Sequence, residues 1–404
     1  MSCKSRRYKW LILAIATYSF VALVVNFSVF PVVSDDMARE IGLGYAQIGL
    51  LMSVFSIFYA SVQIPAGVTS DRLGGSKIAS VSILILGLSG LLFAFTPTYY
   101  LALVARISMG LSGGFLLPST MRLLPGWFEA AEYDRAMGIY GSGQGVGLFI
   151  TLISIPTVAS LYGWRISLAL VSALTLIAAA SNLALLRDKE RTVSNALASM
   201  SLRDLKEVVT GKLLLLTSFN VTSVSMFTGV LTWMPLFLLK KLNFSLIEVG
   251  YATAVMGAVM IAASYASGPL SSRIGRAKVI FVSMVLCVVT PLLLAYSSSF
   301  LEVFFVSVLL GLAINLYFGP TFGAIPEAVK TEYVGMGFGI FNTLTFIGSS
   351  ITSAVTGFIL ESTSSFYLAF LMISFISLLG LFGSLKYLST SKTERLTVSK
   401  LINS

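Results

Sequence analysis

Twelve stretches of roughly 20–27 residues, nearly all free of charge, follow one another along this 404-residue chain. They lie at about 10–33, 45–69, 78–96, 99–121, 136–159, 166–186, 213–239, 247–271, 279–297, 301–325, 334–359 and 366–387. A helix needs about 20 apolar residues to cross the hydrocarbon core of a bilayer, so each stretch is long enough to be one span. The rest of the composition leaves no other host for them. Apolar residues make up 56% and charged residues 11%, against about 25% charged in a soluble domain. Too few charges remain to cover a water-facing surface. Disordered, collagen-like and disulfide-scaffold chains are excluded on the same ground. The expected class is an all-α integral membrane protein of 12 transmembrane helices, with the lipid bilayer as its first partner. The first stretch follows a basic tail, yet it is longer than a secretory h-region and reads as a retained helix.

The formal net charge of +10 would suggest a nucleic-acid partner in a soluble protein. Its distribution says otherwise. Loops on one side of the expected membrane hold 22 Lys and Arg, and loops on the other hold only Arg39, Arg165, Lys240 and Lys241. By the positive-inside bias both termini are cytoplasmic, and the expected location is the cytoplasmic membrane with several passes. The basic excess is orientation, and no nucleic-acid partner is expected. With no His and two isolated Cys, Cys3 and Cys287, a zinc, haem or His-based acid–base site has nothing to be built from. No cofactor and no metal are expected.

The chain also repeats itself at one ungapped offset of 201 residues. Gly67, Ser70, Arg72, Gly74 and Lys77 recur as Gly268, Ser271, Arg273, Gly275 and Lys278. The same offset pairs Gly49 with Gly250, Gly110 with Gly311, Thr120 with Thr321, Gly138 with Gly339 and Gly147 with Gly348. One match would be chance in a chain with 34 glycines; a constant offset across five helices is not. The expected domains are a six-helix bundle over 1–186, a cytoplasmic linker over 187–212 and a second bundle over 213–404, related by a pseudo-two-fold. Parallel repeats of this kind imply alternating access around a site at the interface of the halves. Within the linker, 201–209 reads as a short amphipathic tether helix on the membrane surface.

The loop from Gly67 to Lys77 resembles the signature between the second and third helices of the major facilitator superfamily, G-x-L-A/S-D-R-x-G-R-R/K. Arg106 and Gly110 on the fourth span are similar to that family's helix-four motif. Thr69 stands where Leu is usual, and Gly75-Ser76 where a basic pair is usual. The resemblance implies a secondary transporter working by a rocker-switch between two bundles, a monomer rather than an enzyme. It also implies that Asp71-Arg72 latches the cytoplasmic mouth. There a carboxylate can accept from the exposed N–H groups of a helix in the opposite half and pair with Arg122 or Arg135. Arg273 repeats the place, with Ser272 instead of the acid. The gating set is therefore Gly67, Asp71, Arg72, Gly74, Arg122, Arg135 and Arg273.

Inside the spans the polar groups are few enough to name. Arg106 is the one charge deep in any span and must face a cavity or a polar partner. It reads either as a counter-charge to an anionic substrate, as a modulator of a proton carrier, or as a fastener of helix four to groups such as Asn26. With it stand Asn26, Gln63, Gln144, Asn220, Trp233, Asn315, Tyr317 and Asn342; all but Gln63 are taken as candidate substrate residues, a small-metabolite site needing a few convergent polar groups. Some of them will be interhelical glue. None of the 17 acids lies mid-span, so Glu248 and Glu327, at span ends, are the nearest to proton carriers. The glycines from Gly138 to Gly147 on the fifth span suit close approach to the opposite half.

The function these residues favour is transport of a small organic anion or polar metabolite, with or without a coupling proton or other ion. The 124–138 segment looks like the organic-anion, sugar-acid and nitrate porter branches. Those branches commonly place a substrate Arg or Lys on the first, second, seventh or eighth helix, whose interiors carry none here. A drug or metabolite efflux antiporter of the same superfamily is the alternative, although Thr151-Leu152 replaces the Gly-Pro of the antiporter signature. A membrane sensor or enzyme would need a cluster of acids, His or Cys at membrane depth.

Overall fold

The computed structural model describes residues 3–128, 130–189, 207–325, 327–330 and 334–402, and these are helical almost throughout. In chain order the helices are α1 (Cys3–Ile41), α2 (Tyr45–Ser61), α3 (Gln63–Leu73), α4 (Gly75–Ala94), α5 (Tyr99–Trp127), α6 (Ala130–Leu185), α7 (Gly211–Lys241), α8 (Leu246–Ile274), α9 (Arg276–Tyr296), α10 (Phe300–Asn315), α11 (Phe318–Phe322), α12 (Val334–Thr363) and α13 (Phe366–Ile402). Among the described residues ten helices are long and apolar enough to span a membrane. One of them, α6, has 56 residues and would run about 84 Å if straight, far beyond any bilayer. Gly163, at φ 83° and ψ 166°, breaks it into two spans. The 17-residue α2 continues through a tilt at Val62 into α3 as one path. Those two additions bring the described helices into line with the expected twelve. Two spans are more broken than the hydropathy suggests: the second at Val62, and the tenth at Leu316-Tyr317, between α10 and α11.

The offset read from residue identities also governs the backbone. The described residues with positive φ are Gly42, Gly74, Gly163, Asn243, Gly275 and Ser364. They are three pairs, each 201 apart. Gly74 (φ 94°, ψ 135°) and Gly275 (φ 95°, ψ 140°) end their helices in the same conformation, one that L-residues with a Cβ rarely adopt. Packing repeats too. A Cβ on Gly110 would meet the carbonyl of Phe55 at 2.5 Å, and one on Gly311 the carbonyl of Met256 at 2.7 Å. Phe55 and Met256 are themselves 201 apart.

Within the first half α1 packs on α6, α2 on α5, and α4 on α5 and α6. In the second half the counterparts are α7 on α12 and α13, α8 on α10, and α9 on α10 and α13. The halves meet along two seams, α2 against α12 and α6 against α8, which the pseudo-two-fold exchanges. Hydroxyls buried between helices mostly donate to a carbonyl one turn back, as Ser19 does to Ile15 and Thr175 to Val171, which satisfies them where no water reaches. Outward faces carry exposed Leu88, Ile177, Phe375 and Phe382, an apolar exterior that only lipid can solvate. The chain is an integral, multi-pass membrane protein.

Candidate functional site

After an even number of passes the helix ends at Cys3 and Ile402 fall on one face, with the described loop residues 73–75, 185–189, 207–211, 274–276 and 323–325; this terminal face and the opposite face are not packed alike. At the opposite face both seams are closed. A Cβ on Gly49 would strike the Ser353 carbonyl at 2.6 Å and Gly357 Cα at 3.1 Å, and one on Gly250 the Leu152 carbonyl at 2.7 Å. Ser53 donates to the Ser350 carbonyl at 2.8 Å across the α2–α12 seam. Lys240 at the end of α7 lies 2.9 Å from the buried carboxylate of Asp35 on α1, which also pairs with Arg39. Lys240 sits over the Tyr45 ring, 5.3 Å from its centre, and that ring packs on Trp233 and Phe366. Glu361 accepts from the Ala46 amide at 3.3 Å. Toward the terminal face Gly67, Gly141 and Gly268 have nothing within 4 Å of a Cβ. The ion pairs described there stay within one half: Lys9–Glu132, Arg122–Asp188, Lys212–Glu327 and Arg276–Glu327.

Midway along the α2–α12 seam Tyr59 and Phe346 meet with ring centres 4.5 Å apart. Four residues on from Tyr59, one turn nearer the terminal face, is Gln63, buried beside the Tyr59 phenol with its Nε2 in no hydrogen bond of normal geometry. Asn342 is one turn nearer that face than Phe346 on α12, half-buried. Gln144, half-buried on α6, stands at the repeat position of Thr345 and so at a similar depth. By depth along their helices, Gln63, Gln144 and Asn342 stand within about one turn of the Tyr59–Phe346 pair, on α3, α6 and α12.

The hydrogen bonds of the other candidates stay inside one half. Asn26 donates to the Ala22 carbonyl at 2.8 Å and to Thr175 at 2.7 Å. Trp233 donates to Thr356 at 2.7 Å. Asn315 donates to the Met260 carbonyl at 3.0 Å and to Ser264 at 2.8 Å. Tyr317 donates to Asn220, which donates to Thr345 at 2.8 Å. Arg106 is fully buried between α1, α2, α4 and α5. Its Nε donates to the Leu51 carbonyl at 3.1 Å and its Nη2 meets Met52 Sδ at 3.2 Å. Phe30, Phe55 and Phe93 surround it with ring centres 4.7–5.6 Å away, a cation–π cage. Asn26 is not its partner.

Glu248 closes a capping box with Ser245 at the start of α8. Glu327 lies in the loop after α11, exposed, where the Arg276 guanidinium holds its carboxyl below the usual range. Of the fifth-span glycines on α6, Gly145 faces α8 across the seam, whereas Gly143 and Gly147 pack on α1 of their own half. In the gating set Arg72 and Arg273 are exposed, and the side chains of Asp71 and Arg135 lie outside the described residues. Arg122 Nη1 is 3.5 Å from Asp188. Sequence reading missed Asp188 itself. Its carboxylate accepts from the Gly75 and Ser76 amides at 2.9 and 3.1 Å, at the start of α4. A Cβ on Gly74 would meet Asp188 at 2.7 Å. The Gly75-Ser76 pair that departs from the family pattern is thus the seat of this carboxylate, and that departure was the signal for it. Of the tether helix expected at 201–209, residues 201–206 lie outside the described residues.

A family model described as Major Facilitator Superfamily matches residues 15–265 and 213–402. The chain is 25% identical over 399 residues to a probable sulfoacetate transporter of Cupriavidus necator, covering 91% of this chain and 90% of that one. It is 24% identical over 414 residues to a probable galactarate/D-glucarate transporter of Escherichia coli K12, covering 90% and 91%. It is 25% identical over 388 residues to the hexuronate transporter of Bacillus subtilis, covering 89% and 90%. Among solved structures, a bacterial homologue of the human lysosomal transporter Spinster, inward-facing and occupied, superposes with TM-score 0.77 at 16% identity, over 96% of this chain and 97% of that one. The nucleoside transporter NupG superposes with TM-score 0.78 at 14% identity, over 93% and 99%.

Proposed function

The chain belongs to the major facilitator superfamily, and from that premise we propose that it is a secondary transporter of a small organic anion, working by rocking of 1–186 against 213–404. The relatives named for sulfoacetate, aldarates and hexuronates support the substrate class: compact, hydroxylated or sulfonated acids. The observation that carries the site is the Gln63 amide, buried beside the Tyr59 phenol with no hydrogen bond of normal geometry at its Nε2. An unmet buried donor costs about 1–3 kcal/mol, which an anionic acceptor held between Gln63, Gln144 and Asn342 offsets. Tyr59 and Phe346 close the path above it. Arg106, enclosed by three phenylalanines with its Nη1 unpaired, fastens α5 to α2 through the Leu51 carbonyl and Met52 rather than facing substrate.

The positive-inside bias puts the terminal face in the cytoplasm, so the state described opens inward. On this reading the Asp71-Arg72 loop, with Arg273 at the repeat, latches the opposite state, in which Gly67 and Gly268 come into contact across the seams. The chain has no His, and the one buried acid among the described residues, Asp35, is paired with Lys240 and Arg39 at the opposite face, so anion exchange or facilitated movement fits the residues better than proton symport. The direct test is a binding panel on purified protein: sulfoacetate, glucarate, glucuronate, a neutral sugar and an organic cation. Binding of an acid, weakened at least about tenfold by Gln63→Ala through loss of one charge-assisted hydrogen bond, supports the site. Preference for the cation, or indifference to Gln63→Ala, refutes it.

A further inference from the structure

The pseudo-two-fold makes any asymmetry between the halves informative, and the sharpest one lies outside the seams. Between the start of α7 and the end of α13, at the terminal face, opens a cleft of about 810 Å³. Its floor is where the helices touch: a Cβ on Gly383 would meet Ser218 Oγ at 2.8 Å. From there the helices diverge, and Gly211 at the mouth has nothing within 4 Å of a Cβ. Lys212 and Lys386 line the cleft together with Leu214, Leu379 and Phe382, the last three exposed at 45%, 55% and 65%. The one acid in the lining, Glu327, is held by Arg276 at 2.6 Å and lies farther, at 3.7 Å, from Lys212. Counting that clamp, the cleft carries two net positive charges at the depth where headgroups lie, above walls that acyl chains would wet. The corresponding positions of the first half, 201 residues earlier, are Leu11 and Leu185. There the same wedge is bridged by the Tyr8 hydroxyl donating to the Leu185 carbonyl at 2.7 Å.

We propose that the α7–α13 cleft is a binding site for an anionic phospholipid, its phosphate between Lys212 and Lys386 and its acyl chains along Leu214, Leu379 and Phe382. Charge and apolar surface are combined here in the way lipid headgroup pockets between transmembrane helices combine them. A soluble anion would gain nothing from the three exposed apolar walls, and an uncharged lipid nothing from the lysines. The site stands whatever substrate the transporter carries, because it lies on the second half alone.

Native mass spectrometry of delipidated protein tests it. The protein is titrated with phosphatidylglycerol, with phosphatidylcholine of the same chains, and with glycerol phosphate as a headgroup without a tail. The expected result is one phosphatidylglycerol retained roughly tenfold or more tightly than phosphatidylcholine, with two lysines supplying the difference. Glycerol phosphate should not bind at the same concentrations. K212A/K386A should lower phosphatidylglycerol retention to the phosphatidylcholine level, and K212R/K386R should keep it. Equal retention of the two lipids by the unmodified protein, which needs no variant to fold, overturns the proposal. So does binding of glycerol phosphate as tight as that of the lipid.

Discussion

The seam glycines make a state-specific prediction. Gly49 and Gly250 occupy equivalent places in the two seams at the opposite face, and each would put a Cβ 2.6–2.7 Å from a carbonyl of the other half. Backbone cannot yield as a flexible side chain can, so Gly49→Ala or Gly250→Ala must push the helices apart there. Overpacking of this kind costs about 1–3 kcal/mol. The cost falls only on the state in which the seam is closed, since a separated seam has room for a methyl group. The variant therefore shifts the balance between states by about 5- to 150-fold with little change in global stability. Ser53, buried against the Ser350 carbonyl in the α2–α12 seam beside Gly49, supplies the reporter for both variants, since the two seams open together. A Ser53→Cys probe, labelled by a membrane-impermeant thiol reagent from the opposite face, should react faster by that factor in either glycine variant. Gly67→Ala, with nothing within 4 Å, should leave the rate unchanged or lower it. Unaltered labelling in both Gly49→Ala and Gly250→Ala would refute the idea that these two contacts hold that face shut.

Two further outcomes follow from the site. Arg106→Ala should lower thermal stability by about 2–5 kcal/mol, the range for emptying a large buried volume, while the affinity for an organic acid stays within twofold to threefold; a selective loss of affinity would restore the counter-charge role. The Arg276–Glu327 clamp should make the second half acid-sensitive: the native carboxyl is held below its ordinary value, so its contribution is complete above about pH 4.3 and is lost as pH falls through the lower native value. Glu327→Gln should flatten that acid limb in a detergent melting series and lower stability at pH 7 by the same small amount, small because the pair is half-exposed.

Much of the architecture was legible because its constraints are steric. Glycine at a helix crossing or at positive φ has few substitutes, so the 201-residue spacing survives as identities at Gly74 and Gly275, and as conformation alone where Asn243 answers Gly42 and Ser364 answers Gly163. The site was less legible. Spans that are apolar nearly all round give no period to show which face meets the other half. An amide in lipid serves as well for glue as for binding, so Asn26, Asn220 and Asn315 could not be separated from Gln144 and Asn342 until their partners were known. Arg106 had to find a partner, but three phenylalanine rings from three helices, remote in sequence, leave no local trace. Asp188 was hidden for a related reason: a carboxylate just past the sixth span shows nothing of the helix start it caps 112–113 residues earlier.

Counterflow in proteoliposomes tests the central claim most directly. Vesicles loaded with an unlabelled sugar acid or sulfonate and diluted into its labelled form should show a transient, saturable accumulation of label, with no ion gradient imposed. Empty vesicles and vesicles loaded with an organic cation should not. Accumulation with none of the acids, or with the cation alone, would contradict a transporter that alternates its two seams around a small organic anion.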